Sequence, residues 1–137
     1  MNFPDPPPGA PVREVAFRLP DLPGVRDFVA VHARRLGMSE DHVGDFLLAV
    51  NEVTTNAVTH GAPAKAYLRV WTDHGDLVVE VHDQGDWTPG FAPGRAAPGP
   101  YATSGMGLWV ARVLAADIVF RTSEDGSTVT MRFTVPG

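Results

Sequence analysis

Hydrophobic positions along the chain repeat with two periods, and the longest helical repeat runs from Ser39 to Gly61 (S-E-D-H-V-G-D-F-L-L-A-V-N-E-V-T-T-N-A-V-T-H-G). At about 100° per residue, Val43, Phe46, Leu47, Val50, Val53, Thr54, Ala57 and Val58 fall on one side. Ser39 is an N-cap candidate, Glu40 and Asp41 place negative charge on the first turn, and Gly61 with Pro63 stops the helix. Such a helix is about 30 Å long and predicts a crossing over the back of a sheet. Glu52, Asn56 and Thr59 stack along its other side, flanked by Asn51 and His60. Leu48 and Ala49 lie near Glu52, which predicts a partly covered surface there.

Around this helix the period alternates between two and 3.6. Val12 to Leu19 places Val15, Phe17 and Leu19 against Glu14, Ala16 and Arg18, which predicts a strand. Asp21 to Leu36 predicts a first helix with Pro23 in its opening turn and Gly37 at its end. Val25, Phe28, Val29, His32 and Leu36 share its inner face, with His32 as a packing residue at the edge. Two strand patterns, 64–72 and 77–82, flank the turn Asp73-His74-Gly75-Asp76. Tyr67, Arg69 and Trp71 oppose Leu68, Val70 and Thr72, while Val79 and Val81 oppose Val78, Glu80 and His82. Gly105 to Ala115 is helical again, and 118–122 with 127–135 make a closing hairpin.

Two stretches have no period. Residues 1–11 form a Pro-rich arm, expected to be extended or disordered. Residues 84–104, rich in glycine and proline, are expected to be a lid or binding loop within a single domain at 12–137. The order β-α-α-β-β-lid-α-β-β predicts an α+β fold. It is a two-layer sandwich, with helices on one face of a mixed, mainly antiparallel sheet.

Composition narrows the field. A chain of 137 residues is one domain of common size. No apolar run is long enough to span a membrane, and prolines stand where a signal peptide needs an apolar core, so a cytoplasmic location is expected. The absence of cysteine excludes disulfide and thiolate chemistry. A net charge of −5 gives no general attraction to nucleic acid or acidic membrane.

Four local signals carry chemistry. Glu52 and Asn56 put a carboxylate and a carboxamide one helical turn apart, close enough to serve one ligand, although a solvated outer face has the same pattern. Asp83 ends a strand before Gln84-Gly85. It can accept from an exocyclic amine, or simply start a turn. Gly105 and Gly107 let backbone approach phosphate oxygens where a helix N-terminus offers free N–H groups; a glycine-rich junction is the plainer reading. Asn56 offers a neutral oxygen to Mg²⁺, and Glu52 can orient or deprotonate a nucleophile. Thr128, near the start of the last strand, can hydrogen-bond to Asp83 or to a water beside a base.

In order and spacing, these segments resemble the GHKL (Bergerat-fold) ATPases. N-E-V-T-T-N-A-V-T-H-G is similar to their N box, D-Q-G to the start of the G1 box, and S-G-M-G-L-W-V-A-R to the G2 box. G-S-T-V-T-M-R-F resembles the closing strand with the adenine-site threonine. The short chain and the E-x-x-x-N-A-x-x-H-G helix most resemble the anti-sigma factor serine/threonine kinases. That resemblance implies ATP and Mg²⁺ as cofactors, a sigma factor and an anti-anti-sigma antagonist protein as partners, and a homodimer. It also implies roles: Glu52 as general base, Asn56 as Mg²⁺ ligand, Asp83 on adenine, and Gly85 making room for the base. Gly105, Met106, Gly107 and Leu108 would wrap the phosphates, Arg95 would approach the terminal phosphate, and Thr128 would stand at the adenine site. The family's G1 box is D-x-G-x-G, whereas Asp86-Trp87 follows Gly85 here. Either the variation is tolerated, with Trp87 packing at the base of the lid, or nucleotide affinity is altered. A module whose nucleotide only shapes a docking surface is the alternative to a kinase.

Overall fold

The computed structural model describes residues 6–59, 66–83, 106–123 and 126–135. Its strands are β1 (Arg13–Phe17), β2 (Ala66–Asp73), β3 (Asp76–Asp83), β4 (Asp117–Ser123) and β5 (Gly126–Phe133), and its helices α1 (Leu22–Arg35), α2 (Glu40–Thr59) and α3 (Met106–Leu114). The sheet order is β1-β2-β3-β5-β4, and all four ladders are antiparallel. The architecture is therefore the expected α+β sandwich. Residues 1–5 of the N-terminal arm and the whole expected lid, 84–104, lie outside the described residues.

Alternation along each strand creates the two faces of the sheet. Phe17, Leu68, Val70, Leu77, Val79, Val81, Ile118, Val129, Met131 and Phe133 form one buried layer with Val43, Phe46, Val50 and Val53 of α2. Helix α2 lies over β2 and β3 at the centre, with α1 on one side of it and α3 on the other. Ala49, expected on the polar side, is fully buried, whereas Leu48 is 46% exposed. The cover predicted near Glu52 thus exists on the Ala49 flank alone.

The ends of the elements follow from local chemistry. Helix α1 closes in a Schellman motif: Gly37 at φ +95° directs the Met38 N–H to Ala33 O and its own N–H to Arg34 O. His32 donates from Nδ1 to Phe28 O at 2.9 Å and packs its ring on that of Phe28, so it is the packing residue anticipated. The β2–β3 turn has both central residues at positive φ, His74 at 52° and Gly75 at 82°, the backbone of a two-residue type I′ hairpin.

On the face of the sheet away from the helices, where Trp71, Val78 and Thr130 are buried, two carboxylates meet one guanidinium. Arg132 donates to Asp76 Oδ2 at 2.8 Å and to Asp73 Oδ2, and Asp73 is only 4% exposed. The Arg132 hydrogen bond, aided by His74, holds the Asp73 carboxyl below its ordinary value despite burial. A group with a depressed native pKa contributes stability above its unfolded pKa and loses it as pH falls through the native one. Asp73→Asn is therefore expected to be less stable than wild type at pH 7. The gap in urea midpoint should begin to close below pH about 4, where the unfolded-state aspartate takes up its proton first, and vanish only as pH falls through the lower native value.

Candidate functional site

Helix α2 is built to hold its polar side still. The Ser39 hydroxyl accepts the His42 N–H at 3.3 Å, capping the N-terminus, and bonds the His42 ring at 2.8 Å. Deeper in, Thr54 returns its hydroxyl to Val50 O at 2.8 Å, so a polar side chain sits in the core without an unmet bond. Glu52 and Asn56 are half-buried. Neither side chain has a hydrogen-bond or ion-pair partner among the described residues. Fixed backbone with unspent polar ends is what a ligand site on a helix requires.

Strand β3 supplies the next group. Its helix-facing residues run Leu77, Val79, Val81 and then Asp83, so the carboxylate is the first polar position at the end of an apolar row. Across the ladder Asp83 is paired with Ser127, which is 3% exposed. Thr128 is paired instead with His82, and its hydroxyl lies 2.9 Å from His82 Nδ1 on the face away from the helices. The expected bond from Thr128 to Asp83 is thus not formed, because a shift of one residue along a strand turns the side chain to the other face. Sequence reasoning missed Ser127. Counting by twos back from Phe133, Met131 and Val129 would have found it.

Helix α3 begins at Met106, and the first-turn N–H groups of any helix lack intrahelical acceptors. It packs directly on α2. Its last turn is fixed to the edge strand by Arg112, whose guanidinium carbon lies 5.6 Å from the centre of the Phe120 ring, with a buried Nε that has no hydrogen-bond partner among the described residues. Met106, Gly107 and Leu108 all fall in the opening turn, as a phosphate-wrapping role needs. Gly85, Arg95 and Gly105 lie outside the described residues, as do Asp86 and Trp87.

Helix α2 thus links segments distant in sequence. Helix α2, with Glu52 and Asn56, touches both β3, which ends in Asp83, and α3. The groups these elements carry are individually of the types a magnesium nucleotide takes: a neutral oxygen for a hard cation, N–H groups for phosphates, and an acceptor for an amino group. No helix among the described residues is long and apolar enough to cross a membrane.

Comparison with known proteins gives the family and the fold. The family described as histidine kinase-like ATPase domain matches residues 15–133. Among solved structures the fold is similar to a chain containing the RsbU and RsbW domains of Rv1364c from Mycobacterium tuberculosis, with a TM-score of 0.70 and 19% identity. That match covers 91% of this chain and 32% of the other, so the present chain spans about a third of its solved neighbour. No curated protein matches.

Proposed function

The chain belongs to the histidine kinase-like ATPase domain family, and we propose that within it the protein is an ATP- and Mg²⁺-dependent serine/threonine kinase of the anti-sigma type. In this reading it phosphorylates a serine or threonine of an anti-anti-sigma antagonist and, as a homodimer, restrains a sigma factor. The observation that carries the proposal is the unspent Glu52/Asn56 pair on a helix that contacts both β3 and α3.

Each residue has a task that follows from its chemistry. Asp83 accepts from the exocyclic amine of the base, with the Ser127 hydroxyl on the same side of the sheet. Backbone N–H groups of the first turn of α3, with Gly105 ahead of them, hold the phosphates. Asn56 offers its side-chain oxygen to Mg²⁺, which supplies charge neutralisation at the phosphates when bound. Glu52 orients the acceptor hydroxyl and takes its proton at a carboxylate oxygen. Gly85 and Arg95 keep the roles of making room for the base and approaching the terminal phosphate.

Thermal unfolding with and without Mg·ATP tests the nucleotide site. A ligand that binds only the native state stabilises it by about 2.7 kcal/mol at a hundredfold excess over Kd. Wild type is expected to melt several degrees higher in millimolar Mg·ATP, and Asp83→Asn to lose most of that rise, measured against its own ligand-free Tm. No rise in wild type would overturn the proposal and leave a nucleotide-free interaction domain.

A further inference from the structure

The face of the sheet turned away from the helices carries a pocket of about 260 Å³ lined by Glu14, Tyr67, Arg69, Glu80 and His82. These residues come from three adjacent strands in register. Glu14 of β1 lies opposite Arg69 of β2, which lies opposite Glu80 of β3; one row along, Ala16, Tyr67 and His82 align in the same way. We propose that this pocket binds a single guanidinium or primary ammonium group, carried by a small organic cation or by a basic side chain.

Three observations point to a cation of that size. First, the charges do not balance. Arg69 is committed to Glu80 through two hydrogen bonds, at 2.9 and 3.1 Å, and stacks on Trp71 at 5.3 Å. Glu14 has no ion-pair partner among the described residues, so two carboxylates face one guanidinium and the pocket keeps a negative charge. Second, its remaining polar ends suit N–H donors and an aromatic contact. The Tyr67 ring offers a face for a cation, and His82, fixed at Nδ1 by Thr128, keeps Nε2 for a ligand. Third, the volume lies below the range of about 300–1,000 Å³ usual for drug-sized ligands, which favours a group no larger than one side chain. Glu14, Glu80 and His82 do not form a metal-ligating cluster among the described residues, so an organic cation fits better than a metal ion.

The full chain titrated with butylguanidinium, and in parallel with the neutral butylurea, tests the inference by the NMR signals of the His82 and Tyr67 rings. Butylguanidinium is expected to shift both saturably in the millimolar range and butylurea not to. Raising the salt to 0.5 M should weaken binding, since an exposed charge pair is screened. Glu14→Gln should weaken it about three- to fivefold, the worth of one exposed ion pair. An acetyl-Gly-Arg-Gly-amide peptide binding more tightly than butylguanidinium assigns the pocket to a partner's basic side chain; equal or weaker binding assigns it to a free cation. No saturable shift, equal binding of butylurea, or an unchanged Glu14→Gln would overturn the proposal. Because the pocket lies on the opposite face from Asp83, the melting response of Glu14→Gln to Mg·ATP should match wild type, so this test and the nucleotide test fail independently.

Discussion

Glu52→Ala is expected to lower phosphoryl transfer by about 10²- to 10⁴-fold, the usual worth of a positioned general base, while Mg·ATP affinity stays within about threefold of wild type. The separation follows from position. Glu52 precedes Asn56 by one turn on the same helix, and its proposed work is on the acceptor hydroxyl, whereas base recognition rests with Asp83 and phosphate binding with α3. Losing the carboxylate removes an interaction made with the transferring proton and little that holds the ground-state nucleotide, so turnover falls without a matching loss of binding. Glu52→Gln keeps the shape and removes the base, and it should behave like the alanine variant. The measurement is transfer of labelled γ-phosphate to a candidate antagonist at saturating Mg·ATP, with nucleotide affinity read separately by calorimetry. A variant that transfers phosphate as well as wild type would sink Glu52 as the base, and an absence of transfer by wild type would leave a module whose nucleotide shapes a docking surface.

Much of this arrangement is legible in the chain because the informative positions obey simple periods. Val43, Phe46, Val50 and Val53 are all at most 1% exposed, as a 3.6-residue stripe requires, and the helix-facing rows of β2 and β3 are buried as alternation predicts, with Trp71 and Val78 of the other face buried as well. What the sequence does not show is which helix lies beside which. Ala49 sits on the polar half of the α2 wheel and is nonetheless fully buried in a helix flanked on both sides. A helical wheel has no way to include a neighbour that arrives more than fifty residues later. Thr128 is a different case. Its residue type suits a polar site, but residue type is blind to strand phase, and phase gives the place beside Asp83 to Ser127. The half-burial of Glu52 and Asn56 likewise depends on packing around α2, so their spacing could suggest a shared ligand but not a covered one.

Phe46→Ala should be the most damaging single truncation for stability. The ring is 1% exposed and meets Phe133 of β5 edge-to-face, with centroids 4.8 Å apart and planes at 90°. It therefore clamps α2 to a central strand from the helix's buried side. Truncating such a residue costs about 3–5 kcal/mol through lost transfer energy and a residual cavity. Against a total of about 5–15 kcal/mol for a domain, that brings the protein close to the unfolding threshold. The urea midpoint should fall sharply, while Leu48→Ala, at a side chain 46% exposed on the same helix, should stay within about 0.5 kcal/mol of wild type. Phe133→Ala and the double variant complete a cycle, whose coupling should be about 0.5–1.5 kcal/mol for an aromatic pair in this geometry. Additive losses would mean that each ring is held by the surrounding core and not by the other. The clamp also bears on function, because Glu52 lies six residues along the same helix. If nucleotide binds only the folded arrangement, saturating Mg·ATP must restore part of the lost midpoint in Phe46→Ala by mass action. The same rescue should be absent from a Phe46→Ala/Asp83→Asn double variant.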